Sequence, residues 1–191
     1  MASLPPTSTA PSPSGSAAPQ ATHTPGPSPT PRAPQHRDPK LEALIPASID
    51  GVDVRVQSVG MAEFMAALDP ESLGRIRAGK FLSGTGTDPT ATNIAFAVAR
   101  SPHGDLSFEA IHAPGALPSR LLSAAVSLAR ASQADPTTVM VTTVQLGGKT
   151  VVAAKPADAA ADPWYVYARG DIVFILPLPE ATASIVLGAL P

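Results

Sequence analysis

The pattern of apolar positions changes once along this 191-residue chain, near Leu41. Residues 5–40 contain no Val, Ile, Leu, Met, Phe, Trp or Tyr. Beyond them, apolar residues recur with strand and helix periods almost to the end. Leu41, Leu44 and Ile45 have helical spacing and predict a short turn before Pro46. Val52, Val54 and Val56 alternate behind the Asp50-Gly51 turn and predict a first strand. Met61, Phe64, Met65 and Leu68 recur at i, i+3, i+4 and i+7, the stripe of an amphipathic helix. Asp69-Pro70-Glu71 restarts a second helical piece, with Asp as N-cap and Pro in the first turn. Its apolar stripe is Leu73, Ile76 and the stem of Lys80.

Residues 84–89 read as a loop. Ile94, Phe96 and Val98 then alternate with Ala95, Ala97 and Ala99, which predicts a strand with a helix packed closely over its small face. After a turn at 101–104, Leu106, Phe108 and Ala110 mark the returning strand. Pro118-Ser119 opens the clearest helix. Its polar stripe is Arg120, Ser123, Ser127 and Arg130, and Asp135-Pro136 stops it. Residues 139–146 and 149–154 predict two strands joined by Gly147-Gly148, a two-residue hairpin signal. Two more strands, 164–168 and 172–176, flank Arg169-Gly170-Asp171. Both faces of 172–176 are apolar, which predicts a central strand. A last helix starts at Pro179-Glu180.

The predicted order is β-α-β-β-α-β-β-β-β-α. The links between consecutive strands are too short for parallel crossovers, so the sheet is mainly antiparallel. The class is α+β, with helices packed on at least one face.

Composition changes this picture at the N-terminus. Residues 1–37 contain ten Pro, six Ser, five Thr and six Ala. Such a segment cannot bury enough apolar surface to offset an ordering entropy of roughly 1–2 kcal/mol per residue. The expected organisation is a disordered tether over 1–40, biased toward polyproline II, and a single domain over 41–191. Residues 41–191 carry ten Lys and Arg against fourteen Asp and Glu, a net charge of −4. That argues against nucleic acid as a partner, because phosphate binding needs a basic face. The chain has no cysteine, which excludes disulfides, thiolate catalysis and Cys-based zinc sites. Residues 172–190 are apolar enough to raise a membrane span, but Pro177, Pro179 and Glu180 interrupt them, so no transmembrane span is expected. The first residues show no basic, apolar signal pattern. A spacer of this composition nevertheless suits an exported domain, so an upstream export signal and an extracytoplasmic location are expected. The alternative is a cytoplasmic domain with a disordered tail.

Several apparent motifs reduce to turns. Gly147-Gly148-Lys149-Thr150 resembles the end of a P-loop, but the position that needs glycine is Thr143, and a β-branched run rather than a helix follows. Arg169-Gly170-Asp171 sits between two strands, where Gly-Asp supplies a tight turn. Gly84-Thr85-Gly86 follows Arg75, Arg77 and Lys80 and offers only a weak anion signal. His103 and His112 are the only histidines of residues 41–191, and neither has a partner at metal-ligand spacing. No metal, cofactor-binding or catalytic residue is therefore assigned. The one candidate binding patch is Tyr165, Tyr167 and Arg169, which project from one side of a strand. Tyr and Arg are typical anchors of binding surfaces.

Residues 41–46 (LEALIP), Gly51-Val52, residues 146–150 (LGGKT) and residues 165–171 (YVYARGD) together resemble a group of uncharacterised bacterial domains that follow Pro/Ser/Thr-rich spacers in secreted proteins and lipoproteins. The likeness covers most of residues 41–190. The chain departs from the group in lacking an export signal and a lipidated Cys. The resemblance implies an extracytoplasmic domain and transfers no functional residues. The first functional reading is a non-enzymatic, tethered domain that binds a protein or small ligand. The alternatives are a hydrolase or transferase with a distributed site, and a cytoplasmic structural module. A concave polar pocket with His103 or His112 beside a carboxylate would favour the enzyme. A flat Tyr/Arg patch would favour binding.

Overall fold

The computed structural model of the chain describes residues 36–101, 104–133, 135–158 and 161–191. Most of the expected tether, residues 1–35, and the Pro102-His103 turn lie outside the described residues. The elements run α1 (Pro39–Glu42), β1 (Ser48–Ile49), β2 (Val52–Asp53), β3 (Arg55–Gly60), α2 (Met61–Ala67), α3 (Pro70–Ala78), α4 (Phe81–Thr85), β4 (Asn93–Ser101) and β5 (Gly104–His112). They continue with α5 (Pro118–Ala131), a 3-10 turn (Pro136–Thr138), β6 (Met140–Leu146), β7 (Lys149–Lys155), β8 (Trp164–Arg169), β9 (Ile172–Pro177) and α6 (Glu180–Ala189).

Seven strands form one sheet in the order β3-β4-β5-β9-β8-β7-β6, and every pair is antiparallel. Two meanders, β3-β4-β5 and β6-β7-β8-β9, meet where β5 pairs with β9. The α+β class and antiparallel sheet are as the sequence predicts. β9 is central, and Val173, Phe174, Ile175 and Leu176 are all buried, as its two apolar faces require.

The sheet is covered on both faces, giving three layers. On one side α1, the β1-β2 hairpin and α6 pack on Ala95, Ala97, Phe108, Val151, Tyr165 and Phe174. On the other, α2, α4 and α5 pack on Ile94, Ile111, Val166, Val173 and Ile175. The small face of β4 thus meets a layer made of the short helix α1, the two-stranded hairpin and α6. The expected strand through Val52, Val54 and Val56 is split, because β2 pairs with β1 while β3 joins the main sheet.

Local sequence accounts for the helix ends. Asp69 caps α3, its side chain accepting from Glu71 N–H and Ser72 N–H, both at 3.0 Å. α3 stops where Lys80 takes φ 50°. α4 then runs into the segment expected as a loop, and its hydroxyls bond locally: Thr85 Oγ1 lies 2.8 Å from Thr87 Oγ1.

The domain also begins earlier than expected. His36 bridges Ser58 of β3, Arg37 N–H donates to Ser58 O at 3.1 Å, and Asp38 N–H donates to Ser58 Oγ at 2.7 Å. The expected boundary at residue 40 falls inside α1. Residues 36–40 pack through polar groups, which an apolar pattern does not register.

Candidate functional site

A glutamate sits where a sheet covered on both faces should hold an apolar residue. Glu109 is in β5, flanked in register by Phe96 on β4 and Ile175 on β9. Phe108 and Ala110 point into the α1/α6 layer, so Glu109 and Ile111 point under α2, α3 and α5. Among the described residues Glu109 makes no hydrogen bond or ion pair. Glu109 is half-buried, and that partial burial holds its carboxyl above the usual carboxylate range.

The space above it is a pocket of about 220 Å³. Phe64, Phe81, Ile94, Leu128 and Trp164 supply apolar walls, and Ser72, Arg75 and Ser132 are its other polar lining groups. Phe64 and Phe96 pack with ring centroids 5.2 Å apart. Arg75 is paired with Glu71 one helical turn earlier. Its charge is therefore answered on α3 and not by Glu109.

A larger groove of about 540 Å³ lies on the opposite face, between β1-β2 and the start of α6. Its floor includes Ala99 and Leu106, and Asp50, Asp105 and Asp162 stand along it. These three carboxylates are exposed and remain solvated, so nothing in the groove demands a ligand. The smaller pocket holds Glu109, a half-buried carboxylate with no counter-charge among the described residues.

His112 does stand beside carboxylates. Its Nδ1 is 2.8 Å from Asp38 Oδ2 and its Nε2 is 3.5 Å from Asp171 Oδ2. Asn93 Nδ2 donates to the same Asp38 oxygen at 3.1 Å, and Leu41 N–H donates to Asp38 Oδ1 at 3.0 Å. Burial alone would raise the Asp38 pKa. The His112, Leu41 and Asn93 hydrogen bonds, with the His112 charge, outweigh it and leave Asp38 below its ordinary value. Both His112 nitrogens face carboxylates, and His112 lines neither cavity. The cluster fastens α1 to the ends of β4 and β5. Among the described residues no group of three or more His, Cys, Asp or Glu could hold a metal ion.

The sequence-derived patch separates into three environments. Tyr165 is fully buried and donates to Glu180 Oε2 at 3.0 Å. Burial, that bond and the Glu180 charge push its phenol up to about 12. Tyr167 is half-buried, stacked on Phe174 at 6.0 Å under the Lys149 ammonium, 5.4 Å from its ring centre. Arg169 is exposed beside the β8–β9 turn. Alternation places both tyrosines on one side, but α6 covers that side, so they do not form a flat accessible patch. Gly147 and Gly148, with φ 59° and 76°, form the expected hairpin turn, and Gly170, with φ 59°, turns β8 into β9. His103 lies outside the described residues.

The fold and site define a three-layer antiparallel domain with an apolar, carboxylate-floored pocket. No protein family, curated protein or solved structure matches the chain.

Proposed function

We propose that this domain is a binding module for a small amphipathic cation, an amine on an apolar body of about one ring, held in the Glu109 pocket. We further propose that residues 1–35 present it outside the cytoplasm as a spacer. The observation that carries the binding reading is the unpaired carboxyl of Glu109 at the base of an apolar cavity. A cation supplies the missing counter-charge, and the aromatic walls supply the apolar contact. The volume suits a single ring with a short chain, since a cavity of about 150 Å³ accepts benzene. A charge on an interior strand calls for a partner, and ligand recognition provides one. The His112 cluster adds no support to the hydrolase or transferase reading, because His112 lines neither pocket and no hydroxyl nucleophile is hydrogen-bonded to it among the described residues.

Trp164 is the chain's single tryptophan and lines the pocket. Its fluorescence therefore reports occupancy. Titration with phenethylamine is expected to give a saturable change, at least about tenfold tighter than with neutral 2-phenylethanol, equivalent to about 1.4 kcal/mol. Glu109→Gln is expected to abolish that preference while leaving the alcohol unaffected. Equal affinity for amine and alcohol, or an undiminished preference in Glu109→Gln, would refute the assignment.

A further inference from the structure

The two edges of the main sheet are treated differently. At the β3 edge the backbone of residues 36–38 lies alongside Ser58, which is buried, and Arg37 N–H takes up the Ser58 carbonyl. At the other edge, β6 has no such cover. Among the described residues no backbone hydrogen bond reaches its outer side. Its sequence, Met140–Leu146 (MVTTVQL), contains no charge, proline or glycine. Met140 is 65 % exposed and Val141 38 %, two of the five exposed large apolar residues among the described ones. An edge of this kind lacks every usual device against strand addition: Lys, Pro, bulge or covering loop.

We propose that β6 is the interface at which a second copy of this chain adds antiparallel to the sheet, about a two-fold axis through Thr143. The register follows from the hairpin. Leu146 and Lys149 close a two-residue loop, so Met140, Thr142, Val144 and Leu146 turn their backbone groups toward β7. Val141, Thr143 and Gln145 turn theirs outward. Centring the axis on Thr143 sets Thr143 opposite its own copy and Val141 opposite Gln145 of the second copy. All three outward residues then exchange both N–H and C=O bonds across the junction. In the same register Met140 faces Leu146 of the second copy, on the sheet side where Val144 and Leu146 already pack. Thr142 faces Val144. Each is a favourable cross-strand pair.

A copy of this strand is the occupant that the sequence fits. An uncharged strand paired with itself sets no like charges opposite each other, and an isologous contact closes after two copies. The chain's own Pro-rich segment is a poor alternative, because proline has no N–H to donate to a ladder. Strand pairing alone buries a modest area, so the dimer belongs to the weak, concentration-dependent class.

Sedimentation velocity of the full chain from about 5 µM to about 500 µM is expected to show monomers converting to dimers. Thr143→Lys sets two ammonium groups opposite each other and is expected to remain monomeric with unchanged thermal stability when dilute. Thr143→Glu is expected to do the same, and an equimolar mixture of the two to dimerise again. Amide exchange at Val141, Thr143 and Gln145 is expected to slow only at the high concentration. A full chain that stays monomeric throughout, dimers unaffected by Thr143→Lys, failure of the mixture to recover, or the same three amides protected at both concentrations would each overturn the proposal. The last result would indicate that the chain covers this edge itself.

Discussion

Replacing Gly147 by alanine separates two sources of strain that the sequence alone merges. Gly147 and Gly148 form the loop between β6 and β7, and both have positive φ. A left-handed backbone costs an L-residue about 1–2 kcal/mol, so alanine at either position incurs that much. Their surroundings differ. A Cβ on Gly148 would meet nothing within 4 Å. A Cβ on Gly147 would lie 2.5 Å from Ser184 O, 2.6 Å from Gly188 N and 2.8 Å from Leu187 Cβ. Two of those atoms belong to the α6 backbone, so no rotamer change relieves the overlap. Either the hairpin lifts or α6 shifts, and forced backbone movement of this kind costs typically about 1–3 kcal/mol. Gly148→Ala is thus expected to lose about 1–2 kcal/mol. Gly147→Ala is expected to lose about 2–5 kcal/mol, the two effects together. Gly188→Ala is the control. Its Cβ would meet only Gly147 O at 3.9 Å, ordinary contact, and alanine is the better helix former. Urea unfolding followed by far-UV circular dichroism measures all three. Equal losses for Gly147→Ala and Gly148→Ala, or a loss in Gly188→Ala as large as in Gly147→Ala, would refute the claim that the turn is seated on α6.

Two further outcomes concern buried carboxyls. The Glu109 pKa is raised in the fold, so its proton-bound form is favoured there. Wild-type stability is expected to be fullest below the unfolded Glu value and to fall as pH rises through the folded one, by about 1.4 kcal/mol for each unit separating them. Glu109→Gln is therefore expected to match wild type in acid and exceed it at neutral pH; urea midpoints across pH measure this, and a Gln variant less stable at neutral pH would contradict it. The Asp38 pKa is lowered, so its contribution is present above the unfolded Asp value and lost as pH falls through the folded one. Asp38→Ala is expected to lose about 1–3 kcal/mol by leaving buried donors unmet and to open the Arg37 bond to trypsin, whereas wild type is cut there slowly; equal cleavage rates would show that the cluster does not hold α1.

Much of the sheet was legible because strand period and turn chemistry agree locally. Gly147-Gly148 and Gly170-Asp171 fixed two hairpins, and the doubly apolar run of β9 placed it centrally. What stayed hidden depends on layers meeting at long range. β5 alternates Leu106, Phe108, Ala110 against Ser107, Glu109, Ile111, which reads as one buried and one wet face. Only when α2, α3 and α5 cover the second face does Glu109 become half-buried. The same covering, by α6 on the other side, turns Tyr165 from an apparent anchor into a core residue and leaves Tyr167 half-buried. The polar fastening by Asp38 was equally invisible, because Asp38 follows a Pro-rich stretch and its partners Ser58, Asn93 and His112 are distant in sequence.

The signals that could have found the site were small. Ile111, two residues beyond Glu109 on the same side, is a large apolar residue on a face that a one-sided sheet would leave wet. Phe96, its neighbour in register, and Ile94 say the same of β4. Three large apolar residues on a supposedly wet face imply that the face is covered, and a glutamate among them is then a half-buried charge. A sheet covered on both sides has no structural use for that charge. Replacing it by a neutral isostere should stabilise the fold, and a charge that costs stability is where binding chemistry is to be sought. Glu109 thus stands apart from Asp38, whose partners complete it. Asp38 is explained by the fold it closes. Glu109, half-buried with no counter-charge among the described residues, is the carboxylate on which the proposed binding of a cation rests.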